Sequence, residues 1–385
     1  MKERIKELES IFVNEFKSSP TMVKAPGRIN LIGEHTDYNM GYVLPAAIDK
    51  AAYVAIDRSS SDRCKLIALD LNESYEFSIG DALEPIDVDW VNYFLGVVNE
   101  FTKKGHLLKG FNMVFTSDVP LGAGLSSSAA LESSFGFGLN ELFKTSLSIT
   151  DIALIGQTAE HEFAGVKCGI MDQFASCFGK KDQAILLDCK SLEHSYISSD
   201  LEGYQLVLID TKVKHNLADS QYNIRRNQCE AGVALLNKKF GNISSLRDAT
   251  MKQLDELHGD MELVIYNRCK YVIEENTRVL EACEALKNKE VEKLGDLLFK
   301  THQGLSKLYE VSCKELDALV SYAIENENII GARMMGGGFG GCTLNLVKNE
   351  NMEETIKYIV SQYKEYNQIN ANYYIVEISD GAMKI

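Results

Sequence analysis

The stretch Pro120-Leu-Gly-Ala-Gly-Leu-Ser-Ser-Ser-Ala-Ala130 limits what this chain can fold into more than any other. It follows Phe111 to Thr116, whose alternating pattern predicts a strand, and it leads into a helical run. Gly122 and Gly124 allow positive φ and a close approach of a ligand to the backbone. Ser126, Ser127 and Ser128 open the helix, where unpaired amides and the positive dipole end attract an anion such as phosphate. A plain N-capped strand-to-helix connection fits the same composition. No Gly-Lys-Ser/Thr follows the glycines, so the loop is not a Walker A motif.

Two other apparent motifs fail on context. Gly336, Gly338 and Gly341 satisfy G-x-G-x-x-G, but Cys342 to Val347 alternates like a strand where a dinucleotide site requires a helix. His161-Glu162 begins like a zinc-protease motif, yet position 165 is Gly, so the second histidine is missing.

Around the loop, strand and helix signals are interspersed. Met1 to Lys17 is amphipathic and predicts a first helix, with no signal-peptide core. Strands are expected at Thr21 to Ala25, Ala51 to Ile56, Lys65 to Leu69, Ala184 to Leu187, Gln205 to Thr211 and Tyr373 to Ile378. Thr150 to Phe163 predicts a helix capped by Thr150, with Asp151 in its first turn. Met334 to Val347 is expected to be a glycine turn running into a strand. There is no regular βαβ alternation, which favours α+β over a doubly wound sheet. The polar segment Ser191 to Gly203 marks a junction between two domains, 1–195 and 196–385.

The formal net charge of −15 repels phosphate backbones and anionic lipid, so neither nucleic acid nor a membrane surface is expected as a partner. No apolar run approaches the ~18 residues of a membrane-spanning helix. Nine scattered cysteines, without a CxxC pair or zinc spacing, read as reduced thiols of a cytoplasmic protein.

The segment Gly27-Arg28-Ile29-Asn30-Leu31-Ile32-Gly33-Glu34-His35-Thr36-Asp37-Tyr38-Asn39 gathers a cation, two carboxylates, an imidazole and two amides around apolar anchors. Donors and acceptors at fixed angles are what a neutral polyol requires. A solvated surface loop has a similar composition, but Ile29, Leu31 and Ile32 imply partial burial, and buried charges need partners.

This run resembles the signature of the galactokinase family within the GHMP kinase superfamily. Gly41 to Pro45, the loop Pro120 to Ala130, and Gly336-Gly-Gly-Phe-Gly-Gly-Cys-Thr343 match further family motifs. The similarity continues through Cys168-Gly-Ile-Met-Asp-Gln173, Tyr222 with Arg225-Arg226, and Tyr309 to Cys313. The resemblance implies a two-domain GHMP kinase fold, with an N-terminal ribosomal-protein-S5-like domain, a C-terminal ferredoxin-like domain and the site between them.

It further implies that ATP lies along Gly122, Ala123, Gly124, Leu125, Ser126, Ser127, Ser128 and Ala129, near the aromatic residues Trp90 and Tyr93. Mg²⁺ would be held by Ser128 and Glu160, although Glu160 by itself reads as a solvated helix carboxylate. Asp172 would act as base toward the anomeric hydroxyl of galactose, with Arg28 orienting it. Glu34, His35, Asp37, Gly169, Asp172 and Tyr222 would contact the sugar. The spelling Cys168 to Asp172 resembles galactokinases more than N-acetylgalactosamine kinases, whose corresponding loop is usually richer in glycine. Departures stand at Tyr271, where many members carry His, and at Lys307-Leu308, where an acidic pair is frequent; both are expected to concern packing or surface. A kinase for N-acetylgalactosamine or arabinose, and a non-enzymatic sugar and ATP sensor, remain alternatives at this point. The expected assembly is a monomer, on which the residues themselves are silent.

Overall fold

A computed structural model describes residues 2–213 and 218–385. Its strands are β1 (Thr21–Asn30), β2 (Tyr42–Val43), β3 (Pro45–Arg58), β4 (Arg63–Ala68), β5 (Glu73–Ser78), β6 (Phe111–Ser117) and β7 (Gln183–Asp188). They continue with β8 (His194–Ser198), β9 (Tyr204–Asp210), β10 (Ile329–Met334), β11 (Cys342–Lys348), β12 (Asn372–Val376) and β13 (Met383–Lys384). Among the described residues they form three sheets, ordered β13-β1-β3-β6-β4-β5, β10-β11-β9-β12 and β2-β7-β8. Only β4 with β6 is parallel among the paired strands, so the α+β expectation holds without any doubly wound sheet.

Helices cover the six-stranded sheet because its inner face is apolar. Phe94 on helix Asp89–Lys103 meets Phe135 of helix Ser127–Phe143, Phe135 meets Phe111 of β6, and Phe101 belongs to the same core, all wholly buried. Each such side chain stabilises the fold by about 1.5–3 kcal/mol relative to exposure. The last strand, β13, returns to the edge of β1, pairing Lys384 with Val23.

Several local expectations are corrected. Strand β1 continues past Ala25 to Asn30, carrying Gly27 to Asn30 into the sheet, with a register shift between Pro26 and Arg28. That bulge lets the Arg28 amide donate to Leu125 O at 3.1 Å, so the strand is pinned to the glycine–serine loop. The helix expected from Thr150 starts one residue earlier, at Ile149. Ser148 caps it in a reciprocal box with Asp151, because Ser148 is the residue placed to accept the Asp151 amide. The same helix stops at Ala159 and passes into a single wider π turn, Glu160–Ala164, closed by Gly165 at φ +75. The polar stretch Ser191 to Gly203 contains strand β8, which pairs antiparallel with β7 from His194 to Ser198.

The two glycine-rich loops abut. Gly124, at φ +74, lies so close to Met335 that an added Cβ would sit 3.3 Å from its carbonyl oxygen, and Gly336 (φ +82) faces Gly124 O in return. Side chains at either position would separate the loops. Cys342 to Lys348 is indeed a strand, which is why the G-x-G-x-x-G match carries no dinucleotide meaning.

Candidate active site

Asp172 lies in the first turn of helix Met171–Phe178 and is the meeting point of three segments. Arg28 donates to both its oxygens, Nε to Oδ1 at 2.7 Å and Nη2 to Oδ2 at 2.6 Å. Arg28 Nη1 reaches Gly124 O at 2.6 Å, tying the fork to the loop. Ser126, in the left-handed region at φ +58, makes no capping bond for its helix; its hydroxyl donates to Asp172 Oδ2 instead. A strained non-glycine residue here is held by that contact. The first amides of helix Ser127–Phe143 are of the kind that lack an intrahelical partner, which suits an anion. Burial alone would lower the Arg28 pKa, but the Asp172 and Glu34 carboxylates outweigh it and raise it, so the cation is permanent.

On the other side of Asp172, a cavity of about 190 Å³ opens, lined by Arg28, Glu34, His35, Asp37, Glu160 and Asp172 with Tyr222 from helix Ala218–Phe240. Burial would raise Glu34, yet the Arg333 and Arg28 charges, the Gly336 amide and the Asn30 amide together hold it below the usual carboxylate value. Burial takes His35 down to about 4, so its imidazole is neutral. Its Nδ1 bonds the Tyr38 hydroxyl at 2.8 Å, which in turn meets the Tyr309 hydroxyl at 2.7 Å. His35 Nε2 is buried in the cavity wall and makes no well-formed hydrogen bond to a described protein atom, although the Gly337 backbone interacts with the ring. A buried ring nitrogen of this kind calls for a ligand hydroxyl. Burial, then the Asp172 charge, raises Asp37 to about 7. Gly169 backs directly onto Asp37; an added Cβ would lie 2.0 Å from Asp37 Oδ2.

The third component is anionic. Ser128 Oγ donates to Glu160 Oε1 at 3.1 Å, and Gln173 Nε2 bridges Glu160 Oε2 at 2.7 Å to Glu132 Oε2 at 3.0 Å. Burial, followed by the Asp172 charge, lifts Glu160 to about 7, and burial beside Glu160 lifts Glu132 well above its usual value. Glu160 is therefore not the solvated helix carboxylate that its sequence context alone suggests. A hard cation that takes oxygen ligands would relieve this crowding, and the Ser128 hydroxyl with the Glu160 carboxylate supplies such donors side by side. Among the described residues, no group of three or more His, Cys, Asp or Glu side chains stands ready to hold a metal ion alone. Two protein oxygens are nonetheless the usual provision for Mg²⁺, whose other ligands come from water and substrate phosphates.

The structure thus gathers Arg28, Glu34, His35, Asp37, Glu160, Asp172 and Tyr222 around one cavity, with Gly169 behind Asp37 and the loop residues Gly122 to Ala129 alongside. Trp90 and Tyr93 are outside the cavity lining. Trp90 donates to Glu73 Oε2 at 2.6 Å and packs on Phe94 and Phe115, while Tyr93 is half-buried against the main core. Sequence reasoning missed Arg333, Glu132 and the bridging role of Gln173. Gln173 closes a recognised motif, but nothing local marks the other two. Tyr271 is wholly buried as packing predicts, and its hydroxyl also donates to Glu34 O at 3.0 Å.

Three family descriptions match the chain: the galactokinase galactose-binding signature at residues 10–58, the GHMP kinases N terminal domain at 92–180 and the GHMP kinases C terminal at 279–365. A galactokinase of Thermotoga petrophila is 44% identical over 363 residues, covering 94% of this chain and 99% of that protein. A galactokinase of Clostridium acetobutylicum is 42% identical over 388 residues, covering 99% of both. The crystal structure of Lactococcus lactis galactokinase complexed with galactose superposes with a TM-score of 0.95 at 32% identity, covering 99% of this chain and 100% of that one. Methanococcus jannaschii mevalonate kinase, at 20% identity and a TM-score of 0.66, shares the fold.

Proposed function

The chain belongs to the galactokinase family of the GHMP kinases, a sugar kinase that phosphorylates galactose with ATP, and from that premise we propose how its residues divide the work. Galactose occupies the cavity beside Asp172, with Glu34, His35, Asp37 and Tyr222 as its polar contacts and Gly169 as the backing that seats Asp37. The acceptor is the C1 hydroxyl of the α anomer, which is more acidic than an ordinary alcohol. ATP lies along Gly122 to Ala129, its phosphates at the open end of helix Ser127–Phe143.

Asp172 accepts the proton of that hydroxyl as the sugar oxygen bonds to the γ-phosphorus and ADP departs. A carboxylate offers about four acceptor positions, and three are taken by Arg28 and Ser126, so one remains for the sugar. The bidentate Arg28 contact fixes the carboxylate plane and places a permanent cation next to the phosphate loop. Phosphoryl transfer is loose in most analyses, so placing the two oxygens and the charge supplies much of the effect.

Ser128 and Glu160 would hold Mg²⁺, as their adjacent hard oxygens and the raised pKa of Glu160 support. When bound there, the ion would supply positive charge against the phosphates of ATP. Gln173 keeps Glu160 turned toward Ser128. The expected boundary at 195/196 cuts through β8, so the two domains are proposed to join between β8 and β9, with β13 returning to the first; the nine free thiols fit a reducing cytoplasm.

One observation carries this reading: Asp172 sits at the cavity wall while bonded to both Arg28 and the loop residue Ser126. The test is ADP release from ATP and Mg²⁺ with galactose, glucose, N-acetylgalactosamine and arabinose. Turnover on galactose far above the others supports it. Preferential turnover on another sugar would move the substrate, and none at all would refute the assignment.

A further inference from the structure

We infer that Arg333 is the positioning residue that decides which carboxylate oxygen of Glu34 is offered to the sugar. The inference rests on the reading of Glu34 as a sugar contact. Arg333 lies on β10, in none of the recognised motifs, and is wholly buried. It reaches back across the molecule to the opening motif. Its Nη1 and Nη2 donate to Glu34 Oε1 at 3.0 and 3.1 Å, and the Gly336 amide donates to the same oxygen at 2.8 Å. Its other bonds go to Leu31 O from Nε at 2.8 Å, to Met334 O from Nη1 at 2.6 Å, and to Asn30 O from Nη2.

All five N–H donors of a guanidinium are therefore committed, three to backbone carbonyls and two to one carboxylate oxygen. The Glu34 carboxylate is left asymmetric. Oε1 receives three donors and is saturated, whereas among the described residues Oε2 receives only the Asn30 side chain at 3.1 Å. Glu34 lines the cavity, so the oxygen with capacity to accept a substrate hydroxyl is Oε2. Rotating the carboxylate would break the contacts to Arg333 and to Gly336 together. A lysine would keep the charge but not the planar fork that sets this rotation.

Steady-state kinetics on Glu34→Gln, Arg333→Lys and the double variant Glu34→Gln with Arg333→Met test the inference, with thermal unfolding as the check on folding. Losing a charge-assisted bond to the sugar is expected to raise the galactose KM of Glu34→Gln and of Arg333→Lys by about 10- to 100-fold. The ATP KM should stay within about twofold, because an interaction confined to one substrate's ground state moves that KM alone. Adding Arg333→Met to Glu34→Gln should change the galactose KM little further, since the arginine acts through Glu34.

An unchanged galactose KM in Glu34→Gln would refute the sugar-contact reading itself. A raised KM in Glu34→Gln with a normal one in Arg333→Lys would overturn only the role of Arg333. Equal shifts of both substrates' KM values, or additive effects in the double variant, would make Arg333 structural. If Arg333→Lys does not fold, the double variant decides, because it leaves no unpaired buried charge. Its failure to fold would likewise assign Arg333 a structural role and overturn the inference.

Discussion

Arg28 grips both carboxylate oxygens of Asp172, at 2.7 and 2.6 Å, from a strand 144 positions earlier in the chain. The pair ties the edge of the sugar cavity to the phosphate loop through Gly124 O. Replacing Asp172 by Asn removes the proton acceptor while keeping its shape. We expect kcat to fall by about 10²–10⁴, with both substrates still binding. A coupled assay of ADP release reads the rate, and titration calorimetry reads the binding. A kcat within tenfold of the parent would refute the role of Asp172 as base.

Ser128 and Glu160 present adjacent oxygens toward the phosphate loop. Ser128→Ala and Glu160→Gln should each raise the Mg²⁺ concentration needed for half-maximal rate at fixed ATP, the second by at least about tenfold because it removes a charged ligand. Because bound metal displaces the proton that Glu160 retains up to about 7, the parent's Mg²⁺ requirement should ease as pH rises through that value. A magnesium titration at two pH values checks both statements.

Gly169 leaves no room for a Cβ, which would meet Asp37 Oδ2 at 2.0 Å and Asp37 Cγ at 2.1 Å. Gly169→Ala must displace Asp37, so the galactose KM should rise by about tenfold or more with the ATP KM nearly unchanged. The measurement is the pair of KM values. Equal loss for both substrates would show that the loop, rather than Asp37, has moved.

Asp37 has a folded pKa of about 7 against an ordinary 3.8, chiefly from burial. The folded state therefore holds its proton more tightly than the unfolded chain does. Its contribution to stability is complete below about 3.8 and is lost as pH rises through about 7. Asp37→Asn cannot undergo that loss. Relative to the parent, the variant's melting temperature should climb between about pH 5 and pH 8, while its galactose binding weakens. Thermal melts across that range test this; a pH-independent difference would show that Asp37 is already ionised at pH 5.

Much of the site was legible in the residues because its pieces are locally compact. Arg28, Glu34, His35 and Asp37 fall within ten consecutive positions, and the glycines and serines of Pro120 to Ala130 announce a loop opening onto a helix. The Ser148 cap was missed because Thr150 is also an acceptable capping residue, and only the reciprocal bond with Asp151 separates the two. The sheet continuation through Asn30 was hidden because Gly27 and Arg28 do not alternate; the bulge that accommodates them forms against β3 and Leu125.

The amino-acid sequence by itself determined which chemical groups are present, the order of the motifs and the backbone turns that glycine permits. Those depend on interactions over a few residues. Tertiary structure alone decided that Arg333 saturates one oxygen of Glu34, that Gln173 bridges Glu160 to Glu132, and that Asp37 and Glu160 titrate near neutrality. These follow from burial and from groups brought together across 13 to 299 positions, and desolvation has no value until the chain has closed around the group.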